Sequence, residues 1–276
     1  MAKKRSKALE SQVRLFRDHS PHRSFRRTYR EDYARELNVP GMGQHIYESF
    51  RMILKNWKLF VPLIGIAAGL EMLAIGAAVE TTAVFTVLIF LMVWLTTIFL
   101  VRQIKAKHKV GLRDGLYNSM TPLVSTLVVF VVAVVECMPI ILLMFAYSAA
   151  VKTDFLTLPF YAFLFLMFAV AMIVLSGYLL SSSLIALVAV SAPGLYPWKA
   201  LTTASELMMG RRIRFILRLI ALVMVLGVIC SAVLLPLVAL RVPVVVTSVV
   251  IAVMFGFSSV YLTIYLYLYY RWMLKA

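Results

Sequence analysis

Residues 219–240 read LIALVMVLGVICSAVLLPLVAL, a stretch without a charged side chain, and residues 243–270 read PVVVTSVVIAVMFGFSSVYLTIYLYLYY. A helix of about 20 apolar residues can cross the hydrocarbon layer of a bilayer. The link between the two stretches, Arg241 and Val242, is too short for anything but a tight turn. The pattern therefore predicts two membrane-spanning helices that fold back on each other as a hairpin.

The composition of the whole chain favours the same class of protein. The 276 residues are 62% hydrophobic and 14% charged, whereas a soluble domain has about 45–50% apolar and about 25% charged residues. We expect an all-α, polytopic integral membrane protein with six transmembrane helices, and a second short hairpin link at residues 80–81. The six predicted spans are 59–79, 82–101, 121–149, 157–190, 213–240 and 243–271.

The distribution of cations predicts the orientation. Lys152 and Arg241 lie between the helices of a hairpin, while the other 26 of the 28 Lys and Arg residues lie in 1–58, 102–113, 199–218 and at positions 271 and 275. Positive charge accumulates on the cytoplasmic side of membrane proteins. We therefore expect a multi-pass protein of the cell inner (cytoplasmic) membrane, with both termini in the cytoplasm.

Residues 1–43 form a basic arm, and the membrane domain is expected to cover residues 44–276. The arm suits attraction to anionic lipid; a cytosolic protein partner is an alternative, and nucleic acid is not the expected partner because it would need a folded basic patch.

Residues 44–58 predict an amphipathic helix with Ile46, Phe50, Ile53, Leu54 and Trp57 on one face. Such a helix lies in the membrane interface or packs on a protein neighbour. A second cytoplasmic amphipathic helix is predicted at 197–209. The residues expected at the lipid interface are Arg51, Lys55, Trp57, Lys58, Trp198, Arg211 and Arg212.

A threefold repeat of helical hairpins is a further hypothesis. Short amphipathic segments at 44–58, 114–120 and 197–209 each precede two spans. Internal repeats are common in membrane proteins that have a central site. The three units share negligible sequence identity, so the hypothesis depends on their common plan.

Two segments resemble a known family. They comprise Ala200, Ser205, Glu206, Leu207, Gly210, Arg211, Arg212 and Ile213, and the entry into the first span at Ser49, Phe50, Lys55, Asn56, Leu59 and Phe60. Both are similar to YciC-like bacterial six-helix membrane proteins and to the membrane domain that precedes some glycerophosphodiester phosphodiesterases. The resemblance would cover residues 44–276. It implies a membrane module without phosphodiesterase activity, because in that family the catalysis belongs to a separate soluble barrel.

Glu71 and Glu136 are the main candidate site residues, because each lies near the middle of a predicted span. An ionisable group at that depth must face the protein interior or a hydrated cavity. Pro139 should release the carbonyl of Val135 beside Glu136. No Lys or Arg is expected at matching depth. The hydroxyls expected as partners of the two carboxyls are Ser176, Tyr178, Ser181, Ser182, Ser183, Ser258, Ser259 and Tyr261.

Three functions remain open at this point. The first is a non-enzymatic protein that engages anionic lipid or partner proteins on the cytoplasmic leaflet. The second is a small transporter or channel subunit that uses Glu71 and Glu136 for a proton or cation. The third, an enzyme acting on lipid headgroups, lacks the residue clusters that such chemistry needs. We predict no cofactor, metal site or catalytic residue.

Overall fold

The computed structural model describes residues 41–75, 79–108, 110–153, 158–192 and 195–274. One compact unit, Gly41–Met273, contains nearly all of them. The predicted basic arm at 1–43 lies almost entirely outside the described residues. The described part of the chain is all-helical, as expected. Its ten α-helices are α1 Met42–Lys55, α2 Trp57–Ile75, α3 Val79–Lys105, α4 Leu112–Ser119, α5 Leu123–Glu136, α6 Met138–Lys152, α7 Pro159–Ala189, α8 Pro197–Leu207, α9 Arg212–Ala239 and α10 Val244–Met273.

Several of these helices are long and apolar enough to cross a membrane. Within the described residues, five pass this test on length and composition: Trp57–Ala74, Thr82–Lys105, Pro159–Ala189, Arg212–Ala239 and Val244–Met273. A sixth passes if α4 and α5, which are bent by 70° relative to each other, count as one span. The structure therefore supports a multi-pass membrane protein with five or six spans.

The helix bounds differ from the predicted ones at the first hairpin. Residues 44–58 are not one helix: Asn56 lies between α1 and α2, and its side-chain amide donates to the carbonyl of Met52 at 3.0 Å. The predicted link at residues 80–81 is wrong, because α3 already begins at Val79. Helix boundaries are predicted less accurately from a sequence than the helices themselves.

The predicted third span, 121–149, consists of two helices that meet at Cys137. Pro139 stands at the start of α6 and has no N–H to donate to the preceding turn. The N–H of Ile140 instead donates to the carbonyl of Cys137 at 3.0 Å, one residue closer than in a regular α-helix. The predicted release of the Val135 carbonyl is wrong, because that carbonyl accepts a backbone N–H at the end of α5.

The most extensive contact between two helices of the described residues joins α2 and α10. A Cβ built on Gly256 of α10 would lie 3.2 Å from the carbonyl oxygen of Ile64 and 3.3 Å from the Cβ of Ala67 in α2. Ala252, one turn before Gly256, is also buried. Small residues four apart allow membrane helices to approach closely, and this spacing accounts for the contact.

Each of the three short helices α1, α4 and α8 packs on a long helix. Taking α2–α3, α5–α7 and α9–α10 as the three hairpins, each short helix packs on the last helix of another hairpin: α4 on α3, α8 on α7 and α1 on α10. α10 also packs against α2 and α3, and α9 packs against α7. The contacts therefore run from hairpin to hairpin around the bundle and back to the first.

Burial is concentrated at the end of the bundle that carries α1, α4 and α8. In α7 the buried residues run from Ser176 to Ala189, and in α10 from Ala252 to Met273. The other end exposes large apolar side chains on α6, on the first half of α7 and on α9, including Phe145 and Val228. Such a surface suits contact with lipid tails rather than with water.

Candidate functional site

Glu136 lies where three helices meet. It is the last residue of α5, and its carbonyl accepts a hydrogen bond from the hydroxyl of Ser176 in α7 at 2.8 Å. Ser176 is fully buried. Ser176 was predicted as a partner of the Glu136 carboxyl, but its hydroxyl donates to the backbone carbonyl of Glu136 instead.

The break at Cys137 explains this contact. In a continuous helix the Glu136 carbonyl would accept the N–H of Ile140, which here donates to Cys137. The Glu136 carbonyl is thus left for a side chain to satisfy, and Ser176 does so. The carbonyl predicted to be free was that of Val135, whereas the carbonyl that accepts a side-chain hydroxyl belongs to the next residue, Glu136.

The carboxyl group of Glu136 is only partly satisfied. Its Oε2 atom is buried without a hydrogen-bond partner, and so is the hydroxyl of Ser183. The Ser183 hydroxyl interacts with this carboxyl, although the pair lacks the geometry of a full hydrogen bond. Ser183 follows Ser176 by seven residues and therefore lies on the same face of α7, two turns away.

A cation that the sequence did not predict lies beside this group. Arg212, the first residue of α9, places its guanidinium 4.3 Å from the ring centre of Tyr178, and its charge acts on the Glu136 carboxyl. A cation near Glu136 was not expected, and the lipid-interface role of Arg212 stays a prediction.

Glu71 occupies a separate place between α2 and α3. The hydroxyl of Thr86 donates to its Oε1 at 3.0 Å, while its Oε2 is buried without a partner. The expected partners on α7 and α10 were wrong, because the hydroxyl comes from the other helix of the same hairpin. Glu71 also lies in the last turn of α2, near one end of that helix rather than its middle.

The other predicted hydroxyls satisfy neighbours other than the two glutamates. Ser181 and Ser182 donate to the carbonyls of Tyr178 and Leu179 in their own helix, at 2.7 and 2.9 Å. Ser258 lies 4.0 Å from the sulfur of Cys230, and the carbonyl of Ser259 accepts the hydroxyl of Thr263 at 2.6 Å. The phenol of Tyr261 donates to the carbonyl of Ile46 at 2.9 Å. These contacts join helices and satisfy backbone groups.

A buried histidine joins α1 to α10. His45 is 1% exposed, and its Nε2–H donates to the carbonyl of Tyr265 at 3.3 Å. Its ring packs edge-on against the rings of Tyr265 and Tyr269, with centroids 4.8 and 6.1 Å away. Burial lowers the pKa of His45 below its usual 6.5, although the hydrogen bond to Tyr265 partly opposes this shift. This contact was not predicted from the sequence.

α1 presents three distinct faces. Its buried face comprises His45, Ser49, Met52 and Ile53, which pack toward the bundle. A second face is apolar but exposed, and the third is exposed and cationic, with Arg51 and Lys55. The helix therefore packs on its own chain and still exposes an apolar surface, and its position in the membrane interface stays a prediction. The exposed apolar residues, which continue into the first residue of α2, are Tyr47, Phe50, Leu54 and Trp57.

The remaining predicted interface residues differ in exposure. Lys58 is exposed, Trp198 is 70% exposed, and Arg211 is half-buried. Trp198 stands opposite the buried residues of α8, Ala200 and Ala204. Arg212 is half-buried and lies over the ring of Tyr178.

Among the described residues, no group of three or more His, Cys, Asp or Glu side chains could hold a metal ion. A cavity of about 290 Å³ is lined by apolar residues of α6 and α7, including Tyr147 and Phe165, and a small one of about 30 Å³ lies beside Arg102 and Ser119. Neither glutamate lines these two cavities.

Comparison with known proteins gives no further identification. No protein-family model, curated protein or solved structure matches this chain significantly.

Proposed function

We propose that this protein is a non-enzymatic, six-pass protein of the inner (cytoplasmic) membrane that engages anionic lipid on the cytoplasmic leaflet through α1. The three faces of α1 are the observation that carries the proposal. One face is fixed to α10 through His45, so the helix has a defined orientation relative to the bundle. The two exposed faces are then free to interact with the membrane surface.

The two exposed faces of α1 suit an anionic membrane surface. Phe50, Leu54 and Trp57 are 42, 57 and 56% exposed. Apolar side chains beside a cationic face are typical of helices that lie at the boundary between headgroups and acyl chains. Each Lys or Arg near an anionic leaflet contributes about 1 kcal/mol of attraction. The same arrangement would extend to Trp198 beside Lys199 on α8.

The six-span topology is part of the proposal. The bent pair α4–α5 continues into the apolar helix α6, which together with α7 supplies the middle hairpin. Three hairpins, each preceded by a short helix that packs on another hairpin, favour a threefold repeat. With six spans both ends lie on one side, and the excess of Lys and Arg there favours the cytoplasm.

A fluorescent probe on α1 tests the proposal. Cys137 and Cys230 are replaced by Ala, Leu54→Cys is labelled with an environment-sensitive dye, and the full chain is reconstituted into liposomes containing brominated lipids. We expect brominated anionic lipid to quench the dye more strongly than brominated neutral lipid. The preference should fall with salt, because the attraction is electrostatic.

Charge-removal variants provide the control. Replacement of Arg51, Lys55 and Lys58 by Gln should abolish the preference for anionic lipid while leaving general quenching. Lys152→Gln, at the opposite end of the bundle, should leave the preference unchanged. Absence of quenching by either lipid would overturn the proposal and favour a cytosolic protein partner on the same face. A preference that resists both salt and the triple substitution would also overturn it.

The transporter alternative has less support. Glu71 and Glu136 lie in separate places, one between α2 and α3 and the other between α5, α7 and α9. A shared pathway would need the two carboxyls to act on the same ion or proton in sequence. The contacts of the two carboxyls do not favour this function.

A further inference from the structure

We propose that the cavity beside Arg102 and Ser119 binds a phosphate group, carried by a lipid headgroup or by free phosphate, through Arg102 and Asn118. The cavity has a volume of about 30 Å³ and is lined by α3, by both helices of the bent pair α4–α5 and by the residues that follow α7. None of its lining residues belongs to α1. The proposal therefore does not rest on the function proposed above.

The bend between α4 and α5 shapes one side of the cavity. Asn118 and Ser119 are the last two residues of α4, and Pro122 stands immediately before α5, so the lining follows the 70° bend. The hydroxyls of Ser119 and Thr96 lie 3.1 Å apart and join α4 to α3. α3 contributes four residues at spacings of three and four, which places them on one face: Leu95, Ile98, Phe99 and Arg102.

The polar groups of the cavity favour an anion. Arg102 supplies a positive charge and N–H donors in a planar fork that matches phosphate, and no acidic residue lines the cavity. The amide of Asn118 donates one N–H to the carbonyl of Asp114 at 2.9 Å, which leaves its second N–H for a ligand. The hydroxyls of Ser119 and Ser191 donate to backbone carbonyls of their own segments, at 3.1 and 2.7 Å. The donors for a ligand are therefore Arg102 and Asn118.

A ligand can reach these donors from the surface. Arg102 and Asn118 are exposed and Ser191 is half-buried, whereas Ser119 is 2% exposed and marks the inner end of the cavity. A water-sized atom needs about 10–15 Å³, so a cavity of about 30 Å³ admits about two oxygens of a phosphate group. The rest of the ligand would stay at the mouth, beside the guanidinium.

The height of the cavity also suits a phosphate. Arg102 lies in the last turn of α3, close to the end of the apolar stretch Thr82–Lys105. If this stretch crosses the bilayer, its end lies where the hydrocarbon layer meets the headgroups. Both a lipid phosphate and a phosphate from the aqueous phase are present at that level.

Two binding measurements on the full chain in detergent distinguish the sources of phosphate. Native mass spectrometry measures retention of dioleoyl phosphatidic acid, with dioleoylglycerol as the matched lipid without phosphate. Equilibrium dialysis measures binding of radioactive inorganic phosphate. We expect Arg102→Gln to weaken binding by about tenfold or more in at least one of the two measurements, because it removes charge-assisted hydrogen bonds. The measurement that responds identifies the source as lipid or as free phosphate.

Matched variants assign the effect to the cavity. Asn118→Asp, which is nearly identical in shape and exposed, should weaken the same binding because it places a negative charge beside the phosphate. Arg113→Gln, an exposed cation of α4 that does not line the cavity, should leave binding unchanged. The triple Gln variant of Arg51, Lys55 and Lys58 should also keep the dependence on Arg102, which separates this proposal from the role of α1.

Three results would overturn the proposal. The first is binding of both probes that is unaffected by Arg102→Gln and Asn118→Asp. The second is an equal loss of binding in Arg113→Gln, since it would indicate attraction to surface charge in general. The third is equal retention of phosphatidic acid and dioleoylglycerol together with no binding of inorganic phosphate.

Discussion

Replacement of Gly256 by Ala should reveal how closely α2 and α10 are packed. The added methyl carbon would lie 3.2 Å from the Ile64 carbonyl oxygen, 3.3 Å from the Ala67 Cβ and 3.4 Å from the Ile64 Cγ2. Carbon atoms attract most strongly at about 3.5–4.0 Å, so every one of these contacts is too short. One of the atoms belongs to the backbone of α2, so the two helices would have to separate by a few tenths of an ångström.

The prediction compares the free energies of unfolding of two variants, Gly256→Ala and Gly227→Ala. Overpacking of a close interface costs about 1–3 kcal/mol. Ala favours a helix over Gly by about 1 kcal/mol, which partly offsets that cost. Gly227 of α9 has no atom within 4 Å of an added Cβ, so Gly227→Ala should gain helix stability without a clash. The free energy of unfolding of Gly256→Ala should therefore be about 1–3 kcal/mol lower than that of Gly227→Ala.

Unfolding by dodecyl sulfate in mixed micelles, followed by far-ultraviolet circular dichroism, measures both variants. Gly256→Leu extends the series, because its longer side chain cannot fit without parting the helices. We expect the order of stability to be Gly227→Ala, wild type, Gly256→Ala and Gly256→Leu. Equal stability of the two alanine variants would refute the argument, because it would mean that α2 and α10 do not approach as closely as the structure shows.

Three further outcomes are expected. Since burial lowers the pKa of His45, the contact between α1 and α10 is fully stable above pH 6.5 and weakens as the pH falls from there through the lowered pKa. Proteolysis of α1 should therefore rise on acidification in the wild type but be pH-independent in His45→Gln. Thr86→Val leaves the Glu71 oxygen without its donor and should lower the free energy of unfolding by about 1–2 kcal/mol. In a double-mutant cycle, the same substitution made together with Glu71→Leu should lower the free energy of unfolding by less. Cysteines placed at Lys152 and Arg241 should react with an impermeant maleimide from outside the cell, and labelling from the cytoplasmic side instead would contradict the topology.

The sequence predicted the class of fold because that class depends on simple physical constraints. Long apolar runs such as residues 219–240 need a bilayer, and helices satisfy their own backbone hydrogen bonds there. The helices predicted around 197–209 and 213–240 were found within a few residues. The break at Cys137 was only partly predicted: Pro139 indicated a disturbed helix, but the shift of the bond from Glu136 to Cys137 depends on how the two halves pack.

The polar contacts were harder to predict. Burial alone identifies Glu71 and Glu136 as residues that need partners, but the choice among many hydroxyls depends on the rotation and height of each helix. Thr86 was overlooked because threonine is common in membrane helices, where it usually bonds to its own backbone. Arg212 was assigned to the lipid interface because of its neighbours in sequence. Its position over Tyr178 follows from where α9 begins relative to α7.

The contact between α1 and α10 has a consequence for the order in which the chain assembles. His45 and Tyr265 are separated by 220 residues. At a synthesis rate of about 5–20 residues per second, α1 leaves the ribosome roughly 10–40 s before its partner helix exists. During that interval the imidazole has no Tyr265 carbonyl to donate to, and the early segments are held only by their neighbours. Completion of the last helix, rather than insertion of the first, therefore fixes α1 in place.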